Sequence, residues 1–185
     1  MQALSSHAYP WIRSQLERLE GNYCEIGVFR GQGLEYLAQS LPNRKFWGID
    51  PFIEDGHTQG HSQVAPGQQM QSVKDQCLAR LEPLTNVQLL IMPSERVLAN
   101  TDLCSRLESI SLVFIDGDHH YPQVLQDSQL AMNLLGPQGG WILFDDLGVP
   151  GVDQALEEFQ QTLGTRCQER EYLGSVALAL RISPE

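Results

Sequence analysis

The stretch Ser111-Leu112-Val113-Phe114-Ile115-Asp116-Gly117-Asp118-His119-His120-Tyr121 decides how this chain folds. Its apolar run, with β-branched Val113 and Ile115, reads as a buried strand that stops abruptly at carboxylates and imidazoles. In parallel α/β sheets ligands bind outside the carboxyl ends of the strands, so polar residues at that point are placed for chemistry. Gly140-Trp141-Ile142-Leu143-Phe144-Asp145-Asp146 repeats the design. Two strands ending in acids make Asp116, Asp145, Asp146 and the adjacent His119 the candidate functional residues.

Upstream, Tyr23–Phe29, Lys45–Asp50 and Asn86–Met92 read as three more strands. Between and after them, apolar residues at helical spacing predict helices over 8–20, 34–41, 70–81, around Val97 and Leu98, over 121–135 and over 152–163. Residues 165–172 and 175–182, joined at Leu173-Gly174, read as a closing antiparallel hairpin. Strand–helix alternation with continuous apolar strands predicts an α/β, doubly wound, Rossmann-like sheet of about seven mostly parallel strands, with helices on both faces. The chain reads as one domain over 1–185, its N-terminal helix within 1–21. Residues 54–67 hold three glycines, one proline and little apolar content, a composition that predicts a mobile lid loop.

A net charge of -11 argues against nucleic acid or an anionic membrane as partner and leaves a small molecule as the expected one. No apolar run approaches the ~20 residues of a membrane span. Cys24, Cys77, Cys104 and Cys167 show no metal-ligand spacing and read as reduced thiols of a cytoplasmic protein. The acceptor is expected to be gripped by the 54–67 loop, the N-terminal helix or a neighbouring subunit of a homo-oligomer. His57 and His61 are four residues apart, but in a glycine-rich loop that prepares no zinc geometry.

Gly27-Val28-Phe29-Arg30-Gly31-Gln32-Gly33 follows the first strand and opens a helix, where glycines let the backbone turn tightly and approach a ligand. Asp50, at the tip of the second strand, sits where an acid accepts hydrogen bonds from ribose hydroxyls. Together they favour a nucleoside ligand. The Gly-x-x-x-Gly-x-Gly spacing also resembles the phosphate loop of short-chain dehydrogenases, which makes an NAD(P) oxidoreductase the competing reading; that family needs a Tyr-x-x-x-Lys pair, yet Lys45 and Lys74 are preceded at that distance by Leu41 and Met70. A non-catalytic or regulatory nucleoside-binding domain is the other alternative.

Glu25-Ile26-Gly27-Val28-Phe29-Arg30-Gly31 resembles the first motif of class I S-adenosylmethionine-dependent methyltransferases, with Phe29 in the place of the usual middle glycine. That variant resembles a subgroup that includes macrocin-type sugar O-methyltransferases and cephalosporin-hydroxylase-like proteins. The resemblance runs from about Glu25 to Phe159, and Gly48-Ile49-Asp50-Pro51-Phe52 and Phe114-Ile115-Asp116-Gly117-Asp118-His119 are its most specific pieces. It implies Glu25 near the methionine part of the cofactor, Gly27 and Gly31 beneath it, Asp50 on the ribose, and Ser94 with Glu95 at the adenine. Asp116 is implied at the cofactor as well. It further implies a divalent cation such as Mg²⁺ at Asp116, Asp145 and Asp146, assisting O-methylation of a sugar or natural-product hydroxyl. The residue three after the first metal Asp is the base in such relatives; here that is His119, with His120 the alternative. Asp118 is expected to cap the helix that begins near Tyr121.

Overall fold

The computed structural model describes residues 8–53 and 70–184. In chain order the elements are α1 (Ala8–Leu16), β1 (Asn22–Ile26), α2 (Gln32–Ser40), β2 (Phe46–Ile49), α3 (Met70–Leu81), β3 (Val87–Leu90), α4 (Ser94–Leu98) and α5 (Thr101–Arg106). There follow β4 (Ile110–Ile115), α6 (Tyr121–Leu135), β5 (Gly140–Phe144), α7 (Pro150–Leu163), β6 (Cys167–Leu173) and β7 (Ala177–Ile182). The predicted lid at 54–67, with His57 and His61, lies outside the described residues. Among the described residues no helix is long and apolar enough to cross a membrane.

The strands form one seven-stranded sheet in the order β3-β2-β1-β4-β5-β7-β6. The first five are parallel, β7 runs antiparallel to both β5 and β6, and the predicted mixed sheet is therefore present. Alternate residues of each strand feed opposite faces. Tyr23, Phe46, Leu112, Phe114, Trp141 and Leu143 pack with α1, α2 and α3. Cys24, Ile49, Val113, Ile115, Ile142 and Phe144 pack with α6, α7 and the short α4. Both faces of the central strands are dry, which is why their sequences are apolar without alternation.

Three expectations are adjusted. The N-terminal helix stops at Leu16 rather than 20, and the Arg44 guanidinium collects the carbonyls of Leu16, Leu19 and Gly21 that the helix end leaves open. The first strand ends at Ile26 rather than 29, because the next residue, Gly27, takes φ 90°. One helix, α5, escaped the periodicity; it buries no residue fully and is started by the Asn100 side chain, which accepts from the Leu103 N–H at 3.0 Å.

Register decides where the chemistry stands. Ile26 lies beside Ile49 and Ile115, and Ile115 beside Phe144, so four strands end level. The ladder continues one residue further: Gly27 N–H donates to Ile49, Asp116 N–H to Ile26, and Asp145 N–H to Ile115, at 2.8–3.1 Å. Asp50, Gly27, Asp116 and Asp145 thus form one row across the sheet end.

Candidate functional site

Behind the tips of β4 and β5 is a cavity of about 10 Å³, room for about one water, bounded by Asp116, His119, Asp145, Asp146 and apolar Val124 and Val152. Asp116 sits in the row with Glu25, Asp145 and Asp146 around it. Burial first, and then the charges of Asp145, Glu25 and Asp146, hold its carboxyl well above the ordinary carboxylate range. Burial and the charge of Asp146 push Asp145 up to about 6, against the Asp146 N–H and His119, which act the other way.

Asp146 takes φ 58°, in the left-handed region that short polar residues tolerate better than most. Instead of turning to solvent at the Leu147-Gly148 bend, its Oδ2 lies 2.6 Å from Nε2 of His119. That hydrogen bond raises the His119 pKa above its ordinary value, outweighing the opposing effect of burial. Asp116, His119 and Asp146 each place one ligand atom within 4.8 Å of the others. The structure therefore draws His119 into the group where Asp145 was expected, and Asp145 stands beside it.

The two histidines part company. His120 is exposed, its ring set against Asp118 and its N–H donating to Asp118 Oδ1 at 2.9 Å. Burial raises the Asp118 carboxyl, but these hydrogen bonds win and its pKa is lowered. Asp118 thus closes the turn before α6; the residue at the helix cap is His120, with no side-chain bond, so the expected cap lies two residues early. The first turn of α7 packs against this loop through Gly151, where a Cβ would meet the His119 carbonyl oxygen at 2.2 Å. Nothing in the sequence pattern singled out Gly151.

On the other side of the row, Gly27, Phe29 and Gly31 all take positive φ, at 90°, 52° and 72°. The middle position, where the resembling motif has glycine, is left-handed here too, and Phe29 bears a cost of about 1–2 kcal/mol for it. Asp50 offsets that cost by fixing the loop: its Oδ2 accepts the N–H groups of Val28 and Phe29 and its Oδ1 that of Phe52, each at 2.8 Å. Even so, burial outweighs these bonds and raises the Asp50 pKa. A carboxylate has about four acceptor sites, and these three bonds leave one of them open.

Glu25 is 1% exposed and its two oxygens accept from the hydroxyls of Tyr9 (3.1 Å) and Tyr23 (2.9 Å). Burial pushes its pKa up to about 8 despite both bonds. The Tyr9 ring stands edge-on to Phe114 at 5.7 Å and lies flush on Gly33, whose Cβ would fall 2.1 Å from it. Gly33 is thus a seat for α1. Neither tyrosine was legible as part of the site: α1, which carries Tyr9, has no motif, and Tyr23 reads only as a strand residue.

Ser94, expected at the adenine, is buried and donates its hydroxyl to Asp127 of α6; Gln123 Nε2 donates to both, at 2.9 and 3.1 Å. Burial pushes Asp127 up to about 6. Glu95 is exposed.

Raised carboxyls have a consequence for stability. Glu25, Asp127 and Asp145 each stabilise the fold fully below the ordinary carboxylate value and lose that contribution as pH rises through their folded values of about 8, 6 and 6. His119, also raised, acts in the same direction. The cation-free protein is therefore expected to melt several degrees higher near pH 5 than near pH 8, a difference readable by calorimetry. A flat or opposite profile would contradict the burial of these groups.

Residues 24–147 match the family model described as a methyltransferase domain. A curated relative, the uncharacterized protein R132 of Acanthamoeba polyphaga mimivirus, is 28% identical over 143 residues, which are 77% of this chain and 59% of that protein. The chain thus spans less than two thirds of that relative. The O-methyltransferase NovP superposes with a TM-score of 0.69 at 15% identity, over 95% of this chain and 79% of that one. The mycinamycin-pathway methyltransferase MycE, solved with Mg and S-adenosylhomocysteine, gives 0.58 at 13% identity, over 95% and 49%. With two thirds of its length matched, the chain belongs to the methyltransferase-domain family, and its seven-stranded sheet is that of the class I S-adenosylmethionine-dependent methyltransferases.

Proposed function

We propose that this domain transfers the methyl group of S-adenosylmethionine to a hydroxyl of a small molecule, such as a sugar or natural product, with help from a divalent cation. The observation that carries the reading is the grouping of Asp116, His119 and Asp146 at the tips of β4 and β5, one strand away from the Gly27 loop. The donor set fits a hard cation. Mg²⁺ takes oxygen ligands and is held by one or two carboxylates, with water and substrate completing its shell. Asp116 and Asp146 would supply those oxygens, with Asp145 beside them. The raised pKa of Asp116 marks a concentration of negative charge that a cation would relieve. A cation held there would supply Lewis-acid chemistry, orienting the acceptor hydroxyl and lowering its pKa.

The chain's own residues do the rest. The 27–31 loop, held by Asp50, is the floor for the cofactor, whose sulfonium is already an activated leaving group. In the transfer the S–CH₃ bond breaks as the O–CH₃ bond forms, and the acceptor's proton passes to His119. A neutral ring that gives its Nε2–H to Asp146 presents Nδ1 as the basic nitrogen. Asp146 fixes the tautomer and stabilises the imidazolium. The hydrogen bond also raises the proton affinity of the ring, so the base is stronger than an unpaired histidine.

The test is methyl transfer to a panel of catechols and glycosides. His119→Ala is expected to lower kcat by roughly 10²–10⁴-fold, while His120→Ala stays within a few-fold. A chelator is expected to abolish transfer and added Mg²⁺ to restore it. Transfer that survives both chelator and His119→Ala would sink the metal-and-base mechanism and leave the cofactor assignment standing.

A further inference from the structure

The first turn of α1 reaches the site, and its contact there is polar. The helix runs opposite to the parallel strands. Tyr9 stands beside Phe114, two residues before Asp116, whereas Trp11 meets Trp141 near the start of β5 and the Leu16 carbonyl accepts from Arg44, ahead of β2. Ala8, Ile12 and Leu16 are buried apolar residues that dock the helix on the sheet. A phenylalanine at position 9 would keep the ring contacts with Gly33 and Phe114. What the Tyr9 hydroxyl adds is the bond to Glu25 Oε1 at 3.1 Å.

Glu25 is costly to bury. Its two bonded partners, Tyr9 and Tyr23, are neutral, and the charge of Asp50 acts on it unfavourably. An acid buried without a basic partner weakens a fold, so its presence points to a positive charge that arrives from outside. Glu25 lies two residues before Gly27, on the strand between β2, which ends at Asp50, and β4, which ends at Asp116. Apart from the divalent cation, the positive charges that methyl transfer brings to this floor are the sulfonium and the amino group of the cofactor's methionine end. From this arrangement we propose that Tyr9 is a positioning residue for the cofactor: it holds Glu25 beneath the 27–31 loop and so makes α1 part of the recognition of that cationic end. The inference rests on the methyl-transfer reading of the same site. The Tyr9 hydroxyl donates to the carboxylate and favours its charged form, the form a cationic ligand needs. Gly33 supports the same arrangement, since an added Cβ would fall 2.1 Å from the Tyr9 ring and drive it from its seat.

Calorimetric binding of three ligands without acceptor tests it. S-adenosylmethionine carries both charges, S-adenosylhomocysteine the amino group only, and methylthioadenosine neither. Tyr9→Phe is expected to weaken S-adenosylmethionine about tenfold and to leave methylthioadenosine within about twofold. An equal loss for S-adenosylhomocysteine assigns the effect to the amino group, and a loss confined to S-adenosylmethionine assigns it to the sulfonium. Gly33→Ala, which displaces the ring but keeps the hydroxyl in the chain, is expected to reproduce the pattern, and it decides the matter if Tyr9→Phe does not fold. In a Glu25→Gln background Tyr9→Phe is expected to add less than about twofold, because it acts through Glu25. Unchanged S-adenosylmethionine binding, the same loss for methylthioadenosine, or an undiminished effect beside Glu25→Gln overturns the inference. Failure of the parent protein to bind S-adenosylmethionine overturns the methyl-transfer reading itself, and this inference with it.

Discussion

Replacing Asp116 by asparagine is expected to make the protein more stable and nearly inactive at once. Asparagine keeps the shape, and the backbone N–H that continues the ladder to Ile26 at 2.8 Å is untouched. What disappears is a carboxyl crowded by Glu25, Asp145 and Asp146 in a partly buried row. Without a cation the fold tolerates that carboxyl only by taking up a proton or accepting repulsion, and either weakens it as pH rises. The melting temperature of the cation-free protein should rise by about 2–4 °C for each kcal/mol relieved, most clearly on the alkaline side. Methyl transfer should fall by roughly 10³-fold, since a cation's hold on the acceptor is worth several kcal/mol. Calorimetry and an S-adenosylhomocysteine release assay on the same preparation check both halves. A lower melting temperature, or transfer within tenfold of the parent, would contradict the role given to Asp116.

Gly27→Ala should have the largest effect on folding. Gly27 has φ 90°, and its added Cβ would fall 2.1 Å from the Asp116 carbonyl oxygen, a backbone atom that cannot swing aside. Relief requires β1 and β4 to part where their tips hold the candidate site. Gly148 supplies the control: its φ is 93°, but a Cβ there meets nothing within 4 Å. Gly148→Ala therefore measures backbone strain alone, about 1–2 kcal/mol, whereas Gly27→Ala should cost about 3–5 kcal/mol. Urea midpoints of the two variants separate strain from collision. Equal shifts would show that the two tips do not meet as closely as described.

How much of this was legible in the sequence depends on the range of the interaction. The strands over Ile110–Ile115 and Gly140–Phe144 announced themselves because both faces of a central parallel strand are dry, and local composition records that. Asp116 and Asp145 followed from the topology, since a residue just past such a strand stands at the sheet end. Phe29 fits a glycine position because its backbone is still left-handed there. Interactions between distant segments left no local trace. Tyr9 reaches Glu25 across 16 residues and Asp146 meets His119 across a strand boundary. Neither is encoded by spacing. The same limit misplaced the duty of Asp118, because capping and closing a turn use the same residue type at almost the same position. The engagement of the Ser94 hydroxyl by Asp127 and Gln123, a helix away, likewise left no mark in local spacing.

The order β5-β7-β6 has a consequence for how the molecule is made. The strand nearest the C-terminal end, Ala177–Ile182, is wedged between its two neighbours, pairing Leu178 with Phe144 on one side and Tyr172 on the other. Until it leaves the ribosome, Cys167–Leu173 has no sheet to join. A nascent chain stopped at residue 176 is short of two strands, and the exposed margin of Gly140–Phe144 waits unprotected. Completion of this sheet therefore waits for Ala177–Ile182, and a chain interrupted before it is a ready target for aggregation or proteolysis.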